Sequence, residues 1–561
     1  MNYLKFITTS LFSLVFLTAC NQKDKLLLSE HSVIYCAEGS PETFNPQLVT
    51  SGTTIDATSN QLYDRLITYK GIENKLSPAI AESWHVTSDG TKVTFYLRKD
   101  VAFHHTDYFT PTRLLNADDV IFSFERALNL EHPYHFVSGG SYPFFQNVGL
   151  SDLVDKIEKI NDHTIRFHLS HADNSFLANL ATDFSIILSA EYAEQLSKQN
   201  AKSDIDTHPI GTGPFKLKEY RVGSFIRFYQ HEQYWQDPAK IDQLVFDITP
   251  SNTGRLTKLL AKECDVVAYP IAHGKITQRK DLSLEAVTAL NVGYFGFNVN
   301  KAPFDNKLVR QAISYAINKQ TLLDAIYQGK AEMANSLLPK TSWAFDKTIK
   351  NQKFDPFFAK ELLNFAGYAE GFTMDLWAMP IQRPYNPNAI TMAKLIQSDL
   401  KKIGIQVNIV SYEWSTFLQR LKRGEHQSFL LGWSADHPDP DNFFSPILSC
   451  SATKTGSNTT FWCNEEYDTI IQKALRTSDI DKRKEYYAQA MSIIRQEVPL
   501  IPLAHSKRYQ ARGNNVIGDI LAPFGGINFY SVSKRELISK KVATKKNKLD
   551  GKNNTLSTGV N

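Results

Sequence analysis

Ser398 and Lys401 stand at the S-x-x-K spacing of a serine acyl transferase, and Lys454-Thr455-Gly456 matches the K-T-G element found with it in penicillin-binding and β-lactamase-type enzymes. There the serine oxygen attacks a carbonyl carbon while a neighbouring base takes its proton. Three features oppose that reading. Ser398 falls late in an amphipathic stretch, no Ser-Asp-Asn intervenes, and the K-T-G lies between two cysteines. H-E-x-x-H, G-x-S-x-G and P-loop patterns are absent, and Gly211-Thr212-Gly213-Pro214 puts a proline where a phosphate cradle needs backbone donors. That segment predicts a tight turn between strands. His104 and His105, near Asp107, could bind a metal, but neighbours in a strand point to opposite faces, which favours a surface position. No enzyme, metal site or cofactor is expected.

The cysteines carry more information. An apolar run from Phe6 to Ala19 follows Lys5, is broken by Thr8-Thr9-Ser10, and is too short to span a bilayer, so residues 1–19 read as a signal peptide. It ends in Leu17-Thr18-Ala19-Cys20, the form of a bacterial lipobox, in which the Cys20 thiol carries the lipid; residues 20–31 then form a lipidated linker. No later stretch reaches 18 apolar residues, so the expected membrane contact is an anchor in the cell envelope. Export places Cys36, Cys264, Cys450 and Cys463 where disulfides persist. Cys450 and Cys463 bracket a polar segment suited to a local staple, which leaves Cys36 with Cys264. A zinc site lacks a CxxC and any histidine near the local pair.

The chain has 561 residues, 42% hydrophobic and 21% charged, enough for two to four domains. Its formal net charge of +4 includes +6 from the tail beginning at Lys534 and +1 from Lys5, so residues 20–533 carry −3. A faintly acidic body excludes nucleic acid as the expected partner. Residues 534–561 read as a disordered basic tail.

Short strands are expected between about 32 and 105, including a hairpin of Trp84, Val86, Val93, Phe95 and Leu97 about Asp89-Gly90. Asn116 predicts the cap of a helix with Asp118 and Asp119 in its first turn and Val120, Phe124 and Leu128 on its apolar face. From 290 to 500 strands and helices alternate: strand 295–299, helix 308–317, a helix from Asp355-Pro356 to Gly367, strand 372–379, helix 390–403, strand 405–410, helix 414–422 and strand 429–433. That alternation predicts a doubly wound α/β domain whose ligands bind beyond the carboxyl ends of its strands. The loops 380–388 and 434–442 are the candidate ligand loops.

Ile80-Ala81-Glu82-Ser83-Trp84, Thr94-Phe95-Tyr96-Leu97-Arg98, Asn116-Ala117-Asp118-Asp119-Val120 and Pro209-Ile210-Gly211-Thr212-Gly213-Pro214-Phe215 together resemble the signature run of the family 5 solute-binding proteins of ABC importers. The resemblance spans roughly residues 32–530. It extends to Tyr35-Cys36-Ala37-Glu38-Gly39-Ser40-Pro41, Ser138-Gly139-Gly140-Ser141-Tyr142, Gln382-Arg383-Pro384-Tyr385-Asn386-Pro387-Asn388 and Asp439-Pro440-Asp441-Asn442-Phe443-Phe444, and is nearest the dipeptide-binding branch and its haem- and glutathione-binding lipoprotein relatives.

The resemblance implies an α/β periplasmic-binding-protein fold (type II, cluster C), a Venus flytrap with three lobes: lobe Ia from 32–70, 206–290 and 504–533, lobe Ib from 71–205, and lobe II from 291–503. Hinge strands are implied near 289–294 and 502–506, with the two disulfides favoured above. It implies capture of di- or short peptides, with haem or glutathione as the alternative, by a monomer that delivers them to an ABC permease and its ATPase. Asp436 is implied to meet the ligand's α-ammonium and Arg383 its carboxylate, with Thr50, Tyr385 and Trp414 lining the site. A buried carboxylate recovers its desolvation cost by pairing with an incoming ammonium, and the planar guanidinium grips a carboxylate in two places. Charges at both ends also set length, since two extended residues span about 7 Å. His437-Pro438 stands where dipeptide binders of this type have Asn-Gly, which implies a different rim beside Asp436.

Overall fold

The computed structural model describes residues 31–70, 75–455 and 457–535. The signal peptide, Cys20 and nearly all of the basic tail lie outside the described residues. Lys534 and Arg535, the first two residues of the expected tail, are held. Lys534 is in a strand and its ammonium meets Asp265 at 2.9 Å, while Arg535 N–H donates to Asn515 O.

The strand Ser32–Ala37, buried along almost its whole length, lies between Gln243–Ile248 and Val266–Ala268 and runs parallel to both. Strands covered on both faces need such continuous apolar sequence. This group belongs to a twelve-stranded sheet. The 14-residue strand Leu500–Gly513 joins its two halves, pairing with Asn291–Phe297 through its first part and with Val266–Ala268 and Leu282–Thr288 through its second.

Beyond that strand the predicted alternation is present: Phe372–Ala378, helix Ala389–Lys401, Ile405–Val410, helix Trp414–Lys422, then Ser428–Ser434. Phe372–Ala378 is parallel to both Ile405–Val410 and Ser428–Ser434, as helical crossovers require. The sheet is mixed rather than purely doubly wound, because Asn291–Phe297 runs antiparallel to both its neighbours. The hairpin Ala81–Val86 with Lys92–Leu97 turns at Gly90, whose φ of 70° suits glycine, and belongs to a separate four-stranded sheet. Helix Ala117–Leu128 begins with a capping box: Asn116 Oδ1 accepts Asp118 N–H and Asp119 Oδ2 accepts Asn116 N–H.

Three main hydrophobic cores result. One is built from residues between Leu290 and Ala504, one from residues between Ile55 and Ile210, and a discontinuous one joins Val33 and Tyr35 to Phe529 and Val532. A small fourth core surrounds the Cys36–Cys264 disulfide with Leu259, Ile276 and Ala511. Cys450 is bonded to Cys463, a local closure that contributes roughly 3 kcal/mol in the chain-entropy model.

Two local expectations are corrected. His104 is fully buried, its Nε2 3.0 Å from Gly213 O and its ring edge-on to His231, while His105 is exposed. Gly211-Thr212-Gly213 is not a turn between strands. It presses on the end of helix Gly52–Leu62, where a Cβ at Gly211 would lie 2.0 Å from Leu62 O. No group of three or more metal-ligating side chains occurs among the described residues, and no described helix is long and apolar enough to cross a membrane.

Candidate functional site

Strands Phe372–Ala378 and Ser428–Ser434 are parallel neighbours, with Leu376 beside Ser428 and Ala378 beside Leu430, so the loops that follow them leave the same end of the sheet. The first loop doubles back as a stiff turn. Arg383 and Asn386 exchange backbone hydrogen bonds at 3.1 and 3.0 Å, Ser506 Oγ donates to Pro384 O, and Tyr327 Oη donates to Tyr385 O at 2.6 Å. Tyr385 lies on a platform of two glycines. A Cβ at Gly432 would meet its ring at 2.2 Å, and one at Gly293 would meet its carbonyl oxygen at 2.2 Å.

This seating presents Arg383. Its Nη1 donates to Glu38 Oε1 at 3.0 Å and to Gln382 O, and its guanidinium carbon lies 6.0 Å from the centre of the Trp414 ring. Trp414 in turn stacks on Phe417 at 5.7 Å, opening helix Trp414–Lys422.

The second loop carries Asp436. Ala435 N–H donates to Leu290 O, and Asn442 Oδ1 accepts both Asp436 N–H and Trp433 Nε1–H, which fixes the backbone. The carboxyl group is half-buried, and burial followed by the nearby Asp183 carboxylate pushes its pKa up to about 7 against the downward pull of Asn442. Asp183 is itself paired with Arg65 at 2.9 Å and accepts Gly526 N–H. Asp436 makes no ion pair among the described residues. Ionised, it is a crowded negative charge lacking a cation.

His437 is buried. Its Nδ1 accepts Asp439 N–H, so its Nε2 carries the proton and donates to Asn179 at 3.0 Å, tying the Asp436 loop to helix Phe176–Leu180. Burial first, then Arg483, lowers its pKa to about 4. Asp439 and Arg483 form a buried ion pair at 2.9 Å that anchors the far side of the loop.

Arg383, Tyr385 and Trp414 are therefore brought together. Asp436 stands four residues past Gly432, on which Tyr385 sits, a separation of at most about 13 Å along extended chain. Thr50 is exposed just before helix Gly52–Leu62 and makes no hydrogen bond to the other four. Glu38 lies in the Tyr35–Pro41 segment, where nothing in its spacing marks it as a partner of Arg383. Asp183 was not singled out at all, because its neighbour in space lies 253 positions away in sequence. Ser398 is exposed on helix Ala389–Lys401, Lys454 lies on Cys450–Thr455, and Gly456 lies outside the described residues, so no acyl-transfer centre is assembled.

Residues 75–455 match the family model of bacterial extracellular solute-binding proteins, family 5. The chain is 46% identical over 504 residues to the dipeptide-binding protein of Escherichia coli K12, covering 90% of this chain and 94% of that one. It is 41% identical over 507 residues to heme-binding protein A of Haemophilus influenzae, covering 90% and 92%. The crystal structure of a dipeptide-binding protein from Pseudoalteromonas sp. SM9913 in complex with Met-Leu superposes with a TM-score of 0.86 at 50% identity, covering 90% of this chain and all of that one. This chain belongs to the bacterial extracellular solute-binding proteins, family 5, and has the periplasmic-binding-protein fold of that family. It is a binding protein of transport, not an enzyme.

Proposed function

We propose that the protein captures dipeptides or short peptides outside the cytoplasm and delivers them to an ABC permease and its ATPase, working as a monomer held by a lipid on Cys20. The observation that carries this reading is the contrast between two loops at one end of one sheet. One presents a cation, Arg383, seated on a stiff turn, and the other a carboxyl group, Asp436, raised to about 7 and lacking a cation. A free peptide has the complementary pair. Its ammonium would recover the cost of ionising Asp436, and its carboxylate would compete with Glu38 for Arg383. Tyr385 and Trp414 would flank the carboxylate end and Thr50 the mouth. The similarity to a dipeptide-binding protein and to a structure holding Met-Leu supports the same ligand class.

The three cores favour three lobes closing about strands Asn291–Phe297 and Leu500–Gly513, although the second core reaches Ile55, Leu66, Ile67 and Ile210, beyond the 71–205 expected for lobe Ib, and the discontinuous core takes in Ile186 and Leu188. The similarity to heme-binding protein A favours a second reading, haem uptake on the same scaffold; glutathione uptake is the remaining alternative. Native mass spectrometry of the purified protein with its co-purifying ligand separates them. Masses of two- or three-residue peptides are expected; a haem mass with a saturable Soret band would overturn the peptide reading.

A further inference from the structure

Beside Arg383 the structure holds a cavity of about 380 Å³, within the ~300–1,000 Å³ of small-ligand sites. Asp436 does not line it. Its wall includes Arg383, Lys330, Lys507 and His273 but no aspartate or glutamate.

Lys330 is fixed in place. His273 Nε2 lies 3.0 Å from Pro270 O and donates to it, so the Nδ1 lone pair is free to accept the Lys330 ammonium at 2.7 Å. Burial and that ammonium hold the imidazole below its ordinary pKa, in the neutral form that can accept. Tyr509 packs on His273 with ring centres 4.5 Å apart and lies 5.9 Å from the Lys330 nitrogen. Neither Lys330 nor Lys507 makes an ion pair among the described residues. The single carboxylate paired with Arg383, Glu38, comes from outside the cavity wall. Two lysines without an ion pair among the described residues, Lys330 oriented by His273 and Lys507 at the exposed rim, stand with the Glu38-paired Arg383 around one recess, an arrangement that favours an anion.

We propose that this cavity is an anionic subsite continuing past Arg383, which takes a second carboxylate. The carboxylate is carried by the side chain of an acidic carboxyl-terminal residue or by a third residue running on beyond Arg383. The inference rests on the peptide reading above and extends it: the charges at Arg383 and Asp436 would not limit the ligand to two residues.

Calorimetry on the purified mature protein tests it with four ligands. Ala-Glu should bind about tenfold more tightly than Ala-Gln if a side chain fills the subsite, as one charge-assisted hydrogen bond would give. Ala-Ala-Ala should exceed its carboxyl-terminal amide by a similar factor if a third residue does. In Lys330→Met and Lys507→Met the ratio that was raised should fall toward one, whereas Lys353→Met, on the outer surface, should preserve it. Lys330→Gln, which can still bond His273, guards against a folding defect, and thermal melting checks every variant. Ratios near one in both arms overturn the subsite and leave the dipeptide reading standing. A ratio indifferent to both cavity lysines also overturns the subsite. Failure of every peptide to bind overturns both readings.

Discussion

Glu38, just past strand Ser32–Ala37, and Arg383, on the loop after Phe372–Ala378, are 345 positions apart in sequence and form an ion pair at 3.0 Å. The cation proposed to hold the ligand's carboxylate is thus already paired with a carboxylate of the protein itself. A peptide carboxylate must share or displace Glu38. Glu38→Gln should therefore tighten dipeptide binding by about 1 kcal/mol, roughly fivefold, since the pair is only partly exposed. Calorimetry that found weaker binding would show instead that Glu38 orients Arg383 for the ligand.

The pKa of Asp436 sets a pH dependence with opposite signs for binding and for stability. Without ligand the carboxyl group titrates at about 7 rather than 3.8. An ammonium partner lowers that value, so below about pH 7 binding must expel a proton, and dipeptide affinity should fall roughly tenfold per pH unit. In the unliganded fold the raised value means that the folded state keeps a proton the unfolded chain has lost. The contribution of this group to stability is fully present below about 3.8 and is lost as the pH rises through about 7. Asp436→Asn should then melt at a higher temperature than the parent at pH 8 without ligand. Asp56, also raised to about 7 by burial, is common to both proteins and cancels in the comparison. A dissociation constant that stayed flat between pH 5.5 and 8, or a lower melting point for the variant, would contradict this.

Gly432 tests whether the seating of Tyr385 controls Arg383. A methyl group there would overlap the tyrosine ring at 2.2 Å and lie 2.7 Å from Val292 O, an overpacking of about 1–3 kcal/mol that displaces the Tyr385 loop and presses on the neighbouring strand. Gly432→Ala should weaken dipeptide binding about tenfold or more while far-ultraviolet circular dichroism stays unchanged. Unaltered affinity in a folded variant would mean that the loop's position does not govern the site.

Cys20→Ala should release the protein from the membrane fraction or leave it unprocessed, because a cleaved leader cannot anchor and acyl chains can. Retention in the membrane with normal processing, read by fractionation and intact mass, would remove the lipid from the picture.

Much of the fold was legible because the signals were local. Asn116 with Asp119 announced a helix start, Asp89-Gly90 a hairpin, and Trp414 to Lys422 a helix whose bounds were read without error. Strand alternation located the loops of Arg383 and Asp436, since a parallel sheet puts its loops at one end. What stayed hidden was nonlocal. Neither Glu38 meeting Arg383, nor Asp183 raising Asp436, nor His437 reaching Asn179 leaves any trace in spacing or periodicity. His104 was misread for a related reason: its burial is imposed by Gly213 and His231, more than a hundred positions away. The mixed sheet was missed because period-two patterning reports burial and not strand direction.

The most direct test of Asp436 and Arg383 as the two ends of a peptide site is calorimetry with free and N-acetylated dipeptides on the parent protein, Asp436→Asn and Arg383→Ala. Removing the Asp436 charge should cost about 2–5 kcal/mol, roughly 30- to several-thousand-fold in Kd, and Arg383→Ala a similar amount. The N-acetylated peptide, lacking the ammonium, should bind the parent poorly and be nearly indifferent to Asp436→Asn. Undiminished binding of free dipeptides by Asp436→Asn, or equal affinity of the parent for free and acetylated forms, would contradict the peptide reading; haem, with carboxylates and no ammonium, would respond to Arg383 alone.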